Sequence, residues 1–361
     1  MRSRTDAPRH RDVPRLETVS MWFTGFVVTV VLLAGVVVFR SRLYEVRLLT
    51  LAGIYGILAI GLRLTLGELG ELNLGHTAFY AAGGYLCALT VKNGGFDPAV
   101  GLVVAVVAAS VLALAVSSLT IRLSGPYFAV AALGLIPVVT SVLLAFPDTT
   151  GGSFGLSGYG GGVTSPLPLI GLTGPRAWLI FVWGLAAVAA GYDHYLRVSR
   201  FGRSMNAIRQ DSLLFTSLGY RVAGYKVAGV VISGALAGLA GGLIALFEGN
   251  ISVAAVGLPA LLPTLLVIVV GGGTAVPGGV LAMSVVMTMA PEYARSFNEY
   301  RLIGFGLFLL VLLRFYPAGL GSFSVRGIDR MVGRWASRRG GGSPVGGVSD
   351  LESVAGGDVT S

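Results

Sequence analysis

The residues of this sequence that could carry chemistry are few and scattered. Seventeen acidic residues, three histidines and one cysteine are spread over 361 positions, and they form no nucleophile–base pair, no metal-ligand cluster and no redox pair. The two lysines, Lys92 and Lys226, are followed by Asn93 and Val227, so the chain has no G-x-x-x-x-G-K-[ST] loop for nucleotide phosphates. The sequence therefore predicts no covalent catalysis, no metal site and no cofactor bound by this chain.

One group of polar residues lies where two apolar segments meet. Glu68, Glu71, Asn73 and His76 fall within the glycine-rich stretch 67–76. If the flanking segments cross a membrane, non-helical backbone between them must be buried in protein or line water, and ionisable groups there face a cavity or the bundle interior. We interpret Glu71, Asn73 and His76 as candidates for lining a transport pathway. The alternatives are an interfacial loop with solvated carboxylates, or polar side chains that only tie the break to a neighbouring helix.

A second candidate is the stretch 150–162, which holds seven glycines in thirteen residues. Glycine lets a ligand approach the backbone closely, so Thr150, Gly151 and Gly152 are candidates for contact with a delivered substrate. The alternative interpretation of this stretch is a flexible linker.

The longest hydrophilic stretch between apolar runs covers residues 193–226. Its apolar residues recur near the helical period and predict a short amphipathic helix; they are Met205, Ile208, Leu214, Phe215 and Leu218. Ser204 is the expected N-cap, and Gly219 fits the position after the end of the helix. Such a helix either lies at the membrane interface or docks into a groove of a partner, with Arg203, Arg209 and Asp211 fixing the register.

These candidates are positioned by apolar runs that match membrane spans. The chain is 54% hydrophobic and 12% charged, against roughly 25% charged residues in a soluble domain. A spanning helix needs roughly 20 apolar residues, and the uncharged runs are 21–39, 48–62, 74–91, 99–121, 127–146, 177–192, 227–247, two within 249–291, and 302–313. The short runs 48–62 and 302–313 are lengthened if Arg63 and Arg314 snorkel to the interface. The expected fold is an all-α integral membrane bundle of about ten transmembrane helices.

Glycine is frequent, with 54 of the 361 residues. In membranes, small residues let helices approach each other closely. Gly234, Gly238 and Gly241 recur at helical spacing, which predicts tight packing of the helix that carries them.

The distribution of lysine and arginine predicts the orientation. With a cytoplasmic N-terminus, 19 of the 26 basic residues fall in inner segments and 7 in outer ones, which favours both termini inside. The stretch 193–226 is then cytoplasmic and 150–162 external. We expect a disordered tail over 1–18, a transmembrane domain over 19–320 and a second disordered tail over 321–361. The net charge of +9 does not indicate a nucleic-acid partner, because the arginines form no continuous patch.

Four segments carry specific motifs: 67–80 (GELGELNLGHTAFY), 122–129 (RLSGPYFA), 150–158 (TGGSFGLSG) and 202–219 (GRSMNAIRQDSLLFTSLG). In order and spacing, over roughly residues 48–320, they resemble the G-x-x-G-Q-L-S-L-G-H-x-A-F, R-G-P-Y-F-A, T-G-G-x-x-G-L and coupling-loop motifs of bacterial branched-chain amino acid ABC permeases, LivM-type. The chain therefore resembles the permease component of an ATP-driven importer.

This resemblance implies a type II ABC importer-like fold in the bacterial plasma membrane and transport by alternating access. It implies a second, LivH-type permease, two cytoplasmic ATPase subunits that bind ATP and Mg²⁺, an extracytoplasmic substrate-binding protein, and surrounding lipid. It adds Tyr127 to the pathway candidates. It also assigns ATPase coupling to residues of the fourth segment, namely Gly202, Arg203, Ile208, Arg209, Asp211, Leu218 and Gly219.

Two departures from the family pattern leave questions open. Glu71 and Asn73 stand where the family usually has Gln and Ser, so the cargo is branched-chain amino acids or, alternatively, urea and amides. Thr216 and Ser217 replace a Glu-Ala pair in the coupling loop, which bears on the ATPase contact. An ion-coupled secondary transporter is the alternative from another class, but it favours paired acids and bases deep in the spans, where this chain is nearly uncharged.

Overall fold

The computed structural model describes residues 24–33, 42–121, 123, 125–159, 174–256, 260, 264, 267 and 277–293. These residues are almost entirely helical. The helices are α1 (Thr24–Leu33), α2 (Leu43–Arg63), a π-helix (Leu64–Leu69), α3 (His76–Gly94), α4 (Pro98–Thr120), α5 (Pro126–Leu133), α6 (Leu135–Ala145), α7 (Pro147–Thr150), a 3₁₀ turn (Gly152–Phe154), α8 (Pro175–Val198), α9 (Arg200–Gln210), α10 (Ser212–Ser217), α11 (Val222–Glu248), α12 (Val253–Val256) and α13 (Pro277–Tyr293). Two short strands, β1 (Leu156–Ser157) and β2 (Asn250–Ile251), pair antiparallel.

Five helical segments of the described chain are long and apolar enough to cross a membrane. They are Leu43–Leu69, Pro98–Thr120, Pro126–Ala145, Pro175–Val198 and Val222–Glu248. The predicted run 74–91 is also helical, as α3, which spans 19 residues. The predicted spans over 21–39 and 249–291 are only partly described, and the run 302–313 lies outside the described residues.

The predicted limits of the second span were wrong. Helix α2 begins at Leu43 and continues through the π-helix to Leu69, giving 27 helical residues. The stretch 40–47, which separates the predicted runs 21–39 and 48–62, is therefore helical from Leu43 onward. The snorkelling of Arg63 was also wrong, because this side chain is fully buried. Two carboxylates close to Arg63 neutralise it inside the protein, as described below.

Small residues bring α3, α4 and α11 into backbone contact. A Cβ on Gly83 of α3 would lie 2.5 Å from the Cα of Gly238 on α11, and a Cβ on Gly241 would lie 2.0 Å from the Tyr80 carbonyl oxygen. On α4, Ala105 and Ala109 are buried against the same helix. The close packing predicted from the glycine spacing is therefore present in the fold.

Helix α2 occupies the centre of the described bundle, between α8, α11 and α13. At Gly53 the side chains of Val182 and Trp183 from α8 approach the backbone, and the Trp183 indole Nε1 donates a hydrogen bond of 2.9 Å to the Leu49 carbonyl. At Gly56 the side chain of Leu281 on α13 comes equally close. Most of α2 is buried as a result.

The predicted span over 127–146 corresponds to one candidate membrane span, Pro126–Ala145, which consists of two consecutive helices. Helix α5 ends at Leu133 and α6 begins at Leu135. Pro137 has no N–H with which to bond the Leu133 carbonyl, and its ring crowds that carbonyl. A kink at this point is the expected consequence of the proline.

The contacts at the helix ends define two ends of the bundle. At one, which we name the strand end, Arg47 pairs with Glu248 at 2.5 Å, and β1 joins β2. At the other, which we name the charged end, the π-helix meets the segment 193–226. Helices α2 and α11 run from one end to the other, which places 150–159 and 193–226 at opposite ends, as the alternation of spans predicts.

Candidate functional site

The break between α2 and α3 lies at the charged end. The π-helix stops at Gly70, whose φ of 73° is left-handed, and the backbone is non-helical until α3 begins at His76. The Glu71 N–H donates to the Thr65 carbonyl at 3.1 Å. Two features disfavour any side chain at Gly70. Its left-handed backbone favours glycine, and a Cβ there would lie 2.7 Å from Cγ of Arg209.

Three buried charged residues, Arg63, Glu68 and Asp193, form a network beside this break with the partly exposed Arg197. Arg63 pairs with Asp193 of α8 and lies 3.8 Å from Oε1 of Glu68. The same Glu68 oxygen also forms an ion pair with Arg197, 3.0 Å from its Nε. Buried charges are tolerated when they are paired in this way, and the network joins α2, the π-helix and α8.

Two further contacts connect the break to α9 and α11. The ammonium group of Lys226, near the start of α11, pairs with the carboxylate of Glu71. Arg209 of α9 donates from Nη1 to the carbonyl oxygen of Gly67 at 2.5 Å. Glu68 and Glu71 are both buried, so the interpretation of an interfacial loop with solvated carboxylates was wrong.

His76 ties the break to its neighbours, and Asn73 bonds within the break. A carbonyl can only accept, so Nε2 of His76 donates to the Leu58 carbonyl at 2.9 Å, and Nδ1 then accepts from the Ser233 hydroxyl at 3.2 Å. Oδ1 of Asn73 accepts from the Gly75 N–H at 3.1 Å. Nδ2 of Asn73 is buried and has no hydrogen-bond partner among the described residues. The two contacts of His76 tie α3 to α2 and α11. A role for either residue in the pathway stays a prediction.

The segment predicted as one amphipathic helix consists of two. Ser199, and not Ser204, caps α9, because its Oγ accepts from the Gly202 N–H at 3.2 Å. Asp211 ends α9 and caps α10, accepting from two backbone N–H groups at 3.0 and 2.9 Å. Gly219 follows α10 with a φ of 86°, at the position expected from the sequence. Serine is a common N-cap, so the residue type alone does not select between Ser199 and Ser204.

Only some of the predicted coupling residues are accessible. Ile208 is buried within this chain, together with Met205 and Phe215, and is not available to a partner. Leu218 is 67% exposed. Two neighbouring leucines are exposed as well, Leu213 at 80% and Leu214 at 58%.

The polar coupling candidates also contact their own chain. Arg203 donates to the Val198 carbonyl, and Arg209 bonds the π-helix as described above. Asp211 acts as a helix cap. A Cβ on Gly202 would lie 2.1 Å from the Leu196 carbonyl oxygen, so this glycine allows the sharp turn from α8 into α9.

The remaining pathway candidates lie apart from the break. The Thr150 hydroxyl lies 2.5 Å from the Leu143 carbonyl oxygen and 2.8 Å from that of Phe146. Gly151 has a φ of 74° and no room for a Cβ, and Gly152 donates to the Thr150 hydroxyl at 3.3 Å. Residues 150–159 are thus a compact turn at the strand end and not a flexible linker. Tyr127 is 77% exposed at the start of α5.

Sequence reasoning missed the residues that complete the charged end. Arg63, Asp193, Arg197 and Lys226 were treated as flanking charges of separate segments. The signal was their position at the ends of predicted spans on one side of the membrane. Their partners could not be chosen from that signal, because Arg63–Asp193 and Glu71–Lys226 are 130 and 155 residues apart. Within the described residues, no three His, Cys, Asp or Glu side chains are grouped to hold a metal.

The comparisons with known proteins agree with the membrane architecture. The family model for the branched-chain amino acid transport system permease component matches residues 44–313. The permease protein LivM of Escherichia coli strain K12 is 30% identical over 315 residues, which are 82% of this chain and 74% of LivM. LivH of the same strain is 24% identical over 75% of this chain and 92% of its own length. BraD of Pseudomonas aeruginosa is 25% identical with the same coverage. No solved structure matches the chain.

Proposed function

Because the chain belongs to the family of branched-chain amino acid transport permease components, we propose that it forms half of the translocation unit of an ATP-driven importer. The other half would be a LivH-type permease, since the chain is similar to both LivM and LivH. Two cytoplasmic ATPase subunits would bind ATP and Mg²⁺, and an extracytoplasmic binding protein would deliver the cargo. The permease itself is not an enzyme; it would work by alternating access.

The cargo we propose is a branched-chain amino acid, the substrate named for LivM, LivH and BraD. Urea or a small amide is the alternative, because Glu71 and Asn73 depart from the family pattern. The test is uptake of labelled leucine, valine, urea and acetamide into proteoliposomes that hold the complete importer with its binding protein. Saturable, ATP-dependent uptake of leucine or valine supports the proposal, whereas uptake of urea or acetamide alone establishes the alternative.

The exposed leucines on and directly after α10 carry the proposal that the segment 193–226 docks an ATPase. Leu213 and Leu214 are exposed on α10, which Asp211 caps at its start, and Leu218 is exposed between the end of α10 and the left-handed Gly219. Exposed apolar side chains on such a helix fit the groove of a partner. Phe215 fastens the helix to its own chain by stacking on Tyr220, with ring centroids 4.9 Å apart.

The test places a carboxylate at either of two exposed positions of α10, one apolar and one polar. Loss of one buried anchor costs about 2 kcal/mol of binding, which is roughly a 30-fold loss of affinity. Leu214→Glu should therefore release the ATPase subunits during purification. Thr216→Glu, which adds the same charge to the same helix and restores the family residue, should retain them. Equal retention by both variants would show that α10 is not the docking helix.

Ile208, Arg209 and the glycines of the segment would support this docking helix from within. Since Ile208 is buried, Ile208→Asp should lower the stability of the permease itself, and loss of ATPase binding would follow from that. The measurement is the melting temperature of the permease pair without ATPase. If Ile208→Asp left the melting temperature unchanged and still lost the ATPase, Ile208 would belong to the docking surface.

We propose Asn73 as the leading pathway residue of the set, because its Nδ2 is a buried donor with no described partner. Glu71 and His76 would position it, and Thr150–Gly152 would meet cargo at the strand end. Asn73→Leu should leave assembly and basal ATP hydrolysis intact while cargo-stimulated transport falls. His76→Phe should also lower stability, since it leaves the Leu58 carbonyl and the Ser233 hydroxyl buried without partners. A large loss of stability in both variants would remove both residues from the pathway.

For the whole chain we propose about ten spans in the bacterial plasma membrane, with both termini and the charged end cytoplasmic. In a Cys87→Ser background, Ser157→Cys reports on the strand end and Ser217→Cys on the charged end. Both serines are exposed. An impermeant thiol reagent added to intact cells should label the first variant and spare the second. Labelling in the reverse pattern would invert the orientation.

A further inference from the structure

Three polar contacts connect the segment 193–226 to the break between α2 and α3. Lys226 pairs with Glu71, Arg197 with Glu68, and Arg209 with the Gly67 carbonyl. Resting on the function proposed above, we propose that these contacts transmit movement of the docked segment to the break. Lys226, Arg197 and Arg209 are then positioning residues that couple ATP hydrolysis to transport, distinct from the leucines that hold the ATPase.

The three contacts bind different residues of the short stretch 67–71. Arg209 reaches a carbonyl near the C-terminal end of the π-helix, where helix carbonyls lack intrahelical donors and favour cations. Its aliphatic part also packs across Gly70, the residue at which the helix stops. Lys226 holds the next residue, Glu71. The segment therefore contacts both sides of the point where the chain leaves α2.

The break passes such a movement on to two core helices. Glu68 also lies beside Arg63 of α2, and Arg63 forms an ion pair with Asp193 of α8. On the other side, His76 begins α3 and bonds α2 and α11. A shift of α9 relative to α11 must therefore either break these polar contacts or move the ends of α2 and α3 with it.

Burial favours the second outcome. Glu68 and Glu71 are almost completely shielded from solvent, and separating a buried charge from its partner leaves it desolvated and unpaired. The Arg47–Glu248 pair at the strand end offers a contrast, because Arg47 is more than half exposed. Exposed pairs contribute little, so this pair is a matched control for charge reversal.

The experiment is a charge swap in the complete reconstituted importer. Lys226→Glu places two carboxylates together and should lower the number of cargo molecules carried per ATP hydrolysed by at least about fivefold. The ATPase subunits should stay bound, since the leucines of α10 are intact. The double variant Glu71→Lys with Lys226→Glu should regain most of the ratio. Arg47→Glu should leave it unchanged.

The outcomes separate this proposal from the proposed function. A wild-type complex that neither binds ATPase subunits nor transports refutes the function itself. A functional wild type in which Lys226→Glu keeps the ratio, or in which Arg47→Glu lowers it equally, overturns the transmission. If Lys226→Glu does not assemble, the double variant decides: restored assembly and ratio support the pairing, and failure of both overturns it.

Discussion

Replacing Gly241 by alanine places one carbon atom against the backbone of a neighbouring helix. Its Cβ would lie 2.0 Å from the Tyr80 carbonyl oxygen and 2.9 Å from the Gly84 nitrogen. Ordinary van der Waals contact begins at 3.4 Å, so α3 and α11 must separate locally by about 1.4 Å. Neither contact atom belongs to a side chain that could rotate away.

The expected cost follows from two opposing effects. Alanine is favoured over glycine in a helix by up to about 1 kcal/mol, whereas overpacking costs about 1–3 kcal/mol and occasionally more. Because rigid backbone atoms clash, we expect the upper part of that range and a net loss of about 2 kcal/mol. Gly224, in the same helix, has nothing within 4 Å of its Cβ position, so Gly224→Ala should be neutral or stabilising by up to about 1 kcal/mol.

The assay is thermal unfolding of the purified permease in detergent, followed by loss of the monodisperse peak in size-exclusion chromatography. Gly241→Ala should melt below wild type and Gly224→Ala at or above it. The reasoning on backbone contact would be refuted if the two variants melted at the same temperature, because propensity alone predicts that result.

Three other changes probe separate parts of the fold. Arg63→Met should cost about 3–5 kcal/mol of stability by leaving Asp193 charged and unpaired, and the double change with Asp193→Leu should cost less; melting temperatures decide. Asp211→Ala removes a cap worth about 1 kcal/mol, so the amides of α10 should exchange roughly fivefold faster with deuterium, and unchanged exchange would contradict the capping role. Trp183→Phe loses the hydrogen bond to the Leu49 carbonyl and should lower stability by about 1 kcal/mol, measured in the same melting assay.

The helices could be predicted from the sequence because lipid imposes a simple rule. An apolar run must be helical to satisfy its backbone. The runs 177–192 and 227–247 each lie within a helix of the structure, and α4 covers the run 99–121 except for Ile121. Limits were less certain where polar residues extend a helix. Arg63 and Glu68 looked like the end of a span, yet the chain continues as a π-helix between them because buried partners neutralise both.

Local capping could be only partly predicted, because contacts with distant parts of the chain also decide where these helices begin and end. Gly219 was identified, since a positive φ after a helix strongly favours glycine. Ser204 was taken for the cap in place of Ser199, and the interruption at Asp211 was missed, because an aspartate can equally sit on the polar face of a continuous helix. Only the three-dimensional contacts of Ile208 and Leu218 separate a buried residue from an exposed one when both fit the same apolar stripe.

The two kinds of helix contact in this fold point to where movement is possible. At the seam of α3, α4 and α11, backbone lies on backbone at Gly83, Gly238 and Gly241, so these helices cannot slide without first separating, and packed contacts of this kind resist continuous deformation. At the break between α2 and α3 the contacts are ion pairs and hydrogen bonds, which can exchange partners without a change in packing. The alternating-access cycle proposed above would therefore bend the chain at the break, and the segment proposed to dock an ATPase is also the segment that contacts the chain there.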